Sequence, residues 1–285
     1  MKVLAVIDKK HRVQHARISV LQKMTGIDFS LQTVKGDRKQ AQKMANEADA
    51  VYYASAGLYW TFPLKHSRLL GSVTSHKDVP KLRKLHKISV NNRFLLEQYK
   101  SLHPDVTYIP NGVDTKAFSC ESKGLSDPIV IGWCGNMDRA VKNFDVVKKL
   151  MASRIDGIRF EVAGTLKRHT AKELLTKEQM VEFYSKLHYF LVTSTAEGTP
   201  NPALEAASCG VPLIATRVGN MPDIISENTG FFVESNENSI GKMLKQLKNI
   251  DANRYSEMRS NIQGLMRENW DWSHRKDAWQ SFFLS

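Results

Sequence analysis

The chain has 285 residues, 42% hydrophobic and 25% charged, a globular composition with room for one large or two modest cores. No apolar run approaches the ~18 residues that span a bilayer, and Val3 to Ile7 is too short for a signal-peptide core, so a cytoplasmic protein is expected. The net charge of +12 is uneven: residues 1–110 carry 19 Lys or Arg against 8 Asp or Glu, a net +11, and the rest of the chain carries +1. Charge serving solubility alone would be spread evenly, so the basic half points to an anionic partner: nucleic acid, an anionic membrane or an acidic polymer. Cys120, Cys134 and Cys209 are odd in number and lack C-x-x-C spacing, which favours reduced thiols over disulfides or zinc.

Met1 to Asp8 is an apolar run ending in a carboxylate, as expected of the first strand of a parallel sheet. The cationic segment from Lys9 to Arg12 follows, then a helix with Ile18, Leu21 and Met24 on its apolar positions. His11 and His15 stand at i, i+4 without a third ligand, so a basic surface for an acceptor or a phosphate is the better reading, with Lys9, Lys10 and Arg12 as its candidates. Phe29 to Val34 reads as a second strand, Gln40 to Ala48 as a helix, and Ala50 to Ala54 as a third strand. Tyr59, Trp60 and Phe62, with Lys65, His66 and Arg68, form an aromatic and basic patch suited to stacking a base or sugar and holding a phosphate. Core packing explains each ring equally well when taken singly.

Lys81 to Lys87 is a basic segment before the strand Ile88-Ser-Val90, and Asn92 caps a helix running to Lys100. Pro110 and Asn111-Gly112 supply turn chemistry, and the strand Ile129 to Cys134 opens a second domain through the loop Gly135 to Asn143. Ile158 to Ala163 is a strand with a turn at Gly164, and Met180 to Leu187 has helical spacing. Helices are expected at Ile240 to Leu247 and Ala252 to Arg267, with a terminal helix within Trp270 to Phe283.

The most informative stretch is Ser194 to Thr216. The strand Tyr189 to Thr193 is broken by Gly198 and Pro200, and a helix follows with Asn201 as N-cap and Pro202 in its first turn, stopped by Gly210. Val211 to Thr216 is a short strand. Glu197 therefore lies in a loop at the carboxyl end of a strand, where open α/β sheets bind ligands, and Glu205 lies one turn into the helix. A helix start suits a diphosphate, and each carboxylate can accept two hydroxyls: Glu205 those of a ribose, Glu197 those of a hexose. A carboxylate beside an anomeric carbon also stabilises the charge that develops as the glycosidic bond loosens.

Glu197-Gly-Thr-Pro-Asn-Pro-Ala-Leu-Glu205 resembles the E-x7-E motif of the retaining glycosyltransferases with the GT-B fold, the glycosyl transferases group 1. The resemblance implies two Rossmann-like α/β domains facing a cleft: an acceptor-binding domain at 1–110, shortened and completed by a terminal helix within 271–285, and a nucleotide-sugar-binding domain at 111–270. It implies that Glu197 contacts the donor sugar, Glu205 the ribose, and Gly198, Thr199, Pro200 and Asn201 the sugar and phosphate. Leu69 to His76 resembles the family strand ending in T-x-H, which gives His76 a place at the donor sugar. Tyr108-Ile-Pro-Asn-Gly-Val-Asp114 resembles the interdomain linker. The family's basic pair on the diphosphate is matched by Lys142, while Asn136 stands at the arginine position and Arg139 is the substitute. The family's glycine-rich first loop is replaced here by cations.

The reading is sugar transfer from a nucleotide-diphosphate sugar to a hydroxyl of an anionic macromolecule, with retention. A hydroxymethylated DNA base is the leading acceptor, and an anionic lipid or cell-envelope glycan intermediate the alternative. An epimerase and a non-catalytic nucleic-acid-binding module remain open as other classes. No D-x-D sequence occurs and no cofactor or metal is called for, while nucleotide and sugar are unreadable from sequence. The expected setting is cytoplasmic, phage-encoded in a host or peripheral to the inner membrane face.

Overall fold

A computed structural model describes residues 1–9, 13–75, 82–121, 123–165 and 175–285, and these fall into two compact units. One comprises 1–111 with 272–285, the other 112–271.

The first unit is built on a parallel sheet of β1 (Lys2–Ile7), β2 (Asp28–Thr33), β3 (Ala50–Tyr53), β4 (Leu69–Val73), β5 (Lys87–Val90) and β6 (Val106–Tyr108), in the order β2-β1-β3-β4-β5-β6. Helices α1 (Val13–Thr25), α2 (Arg38–Asn46), α3 (Leu58–Thr61) and α4 (Arg93–Tyr99) lie between strands, and α11 (Lys276–Leu284) returns from the chain terminus. Both sheet faces are covered, so successive strand residues feed different cores. Val3, Ala5, Ile7 and Tyr52 pack with Ile18 and Leu21 of α1 and with Trp279, Phe282 and Phe283 of α11. Leu4, Val6, Val51 and Tyr53 pack with Ala41 and Ala45 of α2 and Leu95 of α4.

Helix α11 is an integral part of this unit. Tyr52 meets Phe283 edge-on at 5.1 Å, and the Arg68 guanidinium donates to Phe283 O at 2.6 Å and to Ser285 O. A cation on the last carbonyls of a helix offsets their partial negative charge. His66 is similarly engaged, its ring nitrogens lying 2.9 Å from Arg68 O and 3.1 Å from Ala48 O. Two members of the expected aromatic and basic patch therefore hold the fold. Phe62 is a third: it is buried, with Arg38 over its ring at 5.2 Å.

The second unit contains β7 (Ile129–Asn136), β8 (Ile158–Thr165), β9 (Tyr189–Val192), β10 (Leu213–Ala215) and β11 (Gly230–Phe232), parallel in the order β11-β10-β9-β7-β8. Gly164, expected to turn the chain after Ala163, is a strand residue paired with Gly135. Helices α5 (Phe144–Ala152), α6 (Lys177–Ser185), α7 (Asn201–Ser208), α8 (Met221–Ile224), α9 (Glu237–Gln246) and α10 (Ala252–Leu265) complete it, and a π-helical turn, Met266–Trp270, ends α10. Val130, Phe190, Val192 and Leu213 face Tyr184 of α6, the alanines of α7 and Ile262 of α10. Ile131, Tyr189, Leu191 and Ile214 face Val147 of α5, Ile240 of α9 and Tyr255 of α10.

Phe282 is fully buried against Tyr52, Trp279 and Phe283. Phe282→Ala is expected to destabilise the first unit by about 3 to 5 kcal/mol, the range for a buried aromatic truncation. Urea unfolding followed by tryptophan fluorescence measures this, and an unchanged midpoint would remove α11 from the fold's essential core.

Candidate active site

Glu197 is placed by its own loop and by the loop that follows β7. The indole of Trp133 donates to Thr193 Oγ1 at 3.0 Å, and that hydroxyl donates to Lys142 O at 2.7 Å. Thr195 N–H donates to Val141 O at 2.9 Å, and Thr216 Oγ1 donates to Ser194 O at 2.6 Å. These bonds bring the carbonyl ends of β7, β9 and β10 together. Asn143, in the left-handed conformation at φ 49°, anchors the Lys142 turn by donating to Ser235 O at 3.0 Å. The outcome is an ion pair: Lys142 Nζ lies 2.5 Å from Glu197 Oε1, with side chains only 14% and 9% exposed. Ser194 Oγ donates to the same oxygen at 2.7 Å.

Helix α7 begins directly after this loop. Asn201 is its first residue, and Pro200, not Asn201, holds the cap position without a side-chain cap bond. Two prolines explain the difference: Pro200 fixes the turn, and Pro202 sits where the helix needs no donor, so the start is set by backbone restriction instead of a capping amide. Gly210 ends the helix at φ 72°, as its sequence position implies. Close packing also holds the loop from the β10 side. Gly219 has φ 54°, and a Cβ there would stand 2.6 Å from Gly198 O, so only glycine fits. Thr199 Oγ1 donates to Asn220 Oδ1 at 2.6 Å.

Glu205 projects from α7 toward α6, where the buried Tyr184 hydroxyl donates to its Oε2 at 2.7 Å. Burial pushes the Glu205 carboxyl up to about 7, against the lowering effects of the Tyr184 hydrogen bond and Lys177. Burial and the Glu205 charge in turn raise the Tyr184 phenol. Cys134 lines a small cavity of about 10 Å³ with Lys142, Ser194 and Glu197, and its thiol is pushed up to about 12 by burial and by the Glu205 charge. That volume is about the size of one water.

The structure thus groups Lys142, Glu197, Gly198, Thr199, Pro200, Asn201 and Glu205 around the carboxyl ends of β7 and β9. Arg139 begins the 3-10 turn Ala140–Lys142 and is exposed. Lys9 follows β1 and is exposed; Tyr59 and Trp60, in α3 beyond β3, stack edge-on at 4.9 Å and are half-buried, with Tyr59 also on Tyr53 at 5.4 Å. Lys10, His11, Arg12 and His76 lie outside the described residues. Ser194, Tyr184 and Cys134 are participants that sequence reasoning missed. Ser194 stands three residues before Glu197, a spacing that could have signalled it, whereas Tyr184 and Cys134 meet the site only through tertiary packing.

Residues 128–249 match the family model described as glycosyl transferases group 1. A "GDP-mannose-dependent monoacylated alpha-(1-6)-phosphatidylinositol monomannoside mannosyltransferase" of Corynebacterium glutamicum is 26% identical over 219 residues, 64% of this chain and 57% of its own length. "Capsular polysaccharide biosynthesis glycosyltransferase CapM" of Staphylococcus aureus is 24% identical over 169 residues, 50% of this chain and 44% of its own. The chain spans about half the length of these curated relatives. In fold, HepE of Anabaena, solved with UDP and glucose, superposes with a TM-score of 0.74 at 12% identity, covering 100% of this chain and 98% of that one. The fold is GT-B.

The Glu205 shift sets a pH test. Its folded value, about 7, lies above the ordinary 4.5, so between those values the folded state holds a proton that the unfolded state has released. Stability therefore falls as pH rises from 4.5 to 7 and levels off above. Glu205→Gln is expected to remove this loss and to gain on the parent protein with rising pH, by up to about 3 kcal/mol at pH 8. Urea midpoints of both proteins at pH 5 and pH 8 check it, and a parallel pH response in the two would show that Glu205 is not the group responsible.

Proposed function

We propose that the protein transfers a sugar from a nucleotide-diphosphate sugar to a hydroxyl of an anionic glycolipid or cell-envelope glycan intermediate, with retention at the anomeric carbon. The observation that carries this reading is the Lys142–Glu197 pair at the start of α7, a cation and a carboxylate held side by side where strands end. Lys142 is suited to the charge that accumulates on the leaving diphosphate, while Glu197 can accept the donor sugar's hydroxyls. Glu205, one turn further, is suited to the ribose. In the transfer, the bond from the anomeric carbon to the diphosphate oxygen breaks, the acceptor oxygen bonds to that carbon on the same face, and the leaving phosphate takes the acceptor's proton. His76 and Arg139 keep the parts that the family resemblance suggests, at the sugar and at the diphosphate.

The choice of acceptor departs from the DNA base expected from charge alone. Relatives named for a phosphatidylinositol mannoside and for capsular polysaccharide biosynthesis support a lipid or envelope glycan, and no comparison favours DNA. Among the described residues no helix is long and apolar enough to cross a membrane, so any contact with lipid would come from the surface.

The test is incubation with a panel of nucleotide sugars and three acceptors: phosphatidylinositol-type glycolipid, undecaprenyl-linked glycan and hydroxymethylated duplex DNA. A mass gain of one hexose or N-acetylhexosamine on a lipid-linked acceptor is expected. Interconversion of the donor without any acceptor would replace the reading by an epimerase, and gain on DNA alone would restore the nucleic-acid acceptor. Lys142→Ala should lower kcat/KM by about 10²- to 10³-fold, as loss of one charge-stabilising donor does elsewhere, and Glu197→Gln should act in the same direction. Turnover near normal in both variants would refute the assignment.

A further inference from the structure

Tyr184 is fully buried in α6, its ring packed edge-on against Phe118 at 6.2 Å, Phe183 at 5.5 Å and Phe190 at 5.9 Å. Three rings fix the direction of its hydroxyl, which donates to Glu205 Oε2 at 2.7 Å. Glu205 is half-buried, and among the described residues no second donor reaches its carboxyl, so Oε1 stays unengaged. A phenol inside the core holds one carboxylate oxygen, and the other is left for a ligand.

We infer that Tyr184 is a positioning residue for donor binding: it holds Glu205 Oε2 so that Oε1 meets the ribose hydroxyls, an assignment that rests on the ribose contact proposed for Glu205. With no exposed surface, Tyr184 touches no substrate and acts only through the carboxyl. Fixing one oxygen removes rotamer freedom that binding would otherwise have to remove. A donor on a half-buried carboxylate also favours its charged form, and a charged acceptor makes the stronger hydrogen bonds. Without the phenol, the carboxyl would take up a proton or turn outward, and either change weakens its hold on a diol. The titratable groups that face Glu205 are Tyr184 and Lys177 from α6, Cys134 from β7 and Cys209 at the end of α7. Burial lifts Glu205 to about 7 against the phenol's bond and the Lys177 charge, while Cys134 and Tyr184 are themselves raised by burial.

Tyr184→Phe keeps the ring and removes the hydroxyl. The test is calorimetric binding of UDP and GDP, and of their 2′,3′-dideoxy analogues, to the folded full-length parent, Tyr184→Phe, Glu205→Gln and the double variant. The ratio of ribose to dideoxy affinity reads the ribose contact, and it cancels both general loosening of the fold and the phosphate titration that the two forms share. The parent is expected to prefer the ribose form by about tenfold or more, the scale of hydrogen bonds to a charged group. Tyr184→Phe should lose most of that preference at pH 7, and Glu205→Gln should lose it too. The double variant should lose no more than Glu205→Gln alone, because the phenol acts through the carboxyl. In the parent the preference should rise with pH through about 7, and in Tyr184→Phe the rise should move to higher pH. Full parental preference in Tyr184→Phe, or losses that add in the double variant, would overturn the inference while leaving the ribose contact in place. If the parent shows no preference, or Glu205→Gln keeps it, the ribose contact itself falls and Tyr184 has nothing to act through.

Discussion

The second unit is organised by one electrostatic constraint: a lysine and a glutamate from different loops held 2.5 Å apart with little exposure. Bringing two charges out of water is costly, and their attraction compensates only if geometry is fixed and further hydrogen bonds are made. Those conditions are met by backbone and hydroxyl groups at the ends of three strands. Thr193 ties the turn at Lys142 to β9, Ser194 donates to Glu197, and Thr216 ties β10 to the same loop. The pair is therefore the product of a parallel sheet whose strand ends converge. Because Lys142 already neutralises Glu197, a donor diphosphate entering this site would compete with a carboxylate for the lysine.

Glu205 meets a different constraint. It lies on a helix whose inner positions, Ala203, Leu204, Ala206 and Ala207, are buried, so its carboxyl is drawn toward the core and finds a phenol there. Its raised value follows from that burial, not from Glu197, which is not among the causes of its shift. The two acidic residues of one motif thus differ in state: one paired with a cation, the other holding its proton about half the time at pH 7. A charged oxygen binds ribose hydroxyls more strongly than a neutral one. Tyr184, whose hydrogen bond favours the charged form, would strengthen the ribose contact proposed for Glu205.

What was legible in the sequence was what depends on short-range pattern. Buried parallel strands announce themselves as apolar runs, and Lys2–Ile7, Ala50–Tyr53 and Tyr189–Val192 stand close to where such runs place them. The loop and helix carrying Glu197 and Glu205 were legible for the same reason, with Gly198, Pro200, Pro202 and Gly210 as punctuation. The failures were tertiary. Asn201 has the chemistry of a cap, but neighbouring prolines govern the backbone there. Tyr184 is separated from Glu205 by a loop and a strand, so no spacing rule connects them.

The basic half teaches a related lesson about charge. Counted in the sequence, residues 1–110 present a net +11 to a partner. In the folded unit, several of those cations are occupied with the protein itself. Arg17 is buried and donates to Tyr52 Oη at 3.1 Å and to Ala54 O. Arg38 donates to Thr61 O at 3.0 Å, Arg68 holds the end of α11, and Lys87 donates to Ser285 Oγ at 2.5 Å. Arg93 lies over Tyr108 at 5.5 Å. A duplex phosphate backbone is recognised through many simultaneous cation contacts, so affinity of that kind depends on cations free to turn outward. Each one committed to a carbonyl, a hydroxyl or a ring subtracts from such a surface, while recognition of one or two phosphates on a lipid-linked acceptor demands far fewer. The formal charge thus overstates the case for a polyanionic partner.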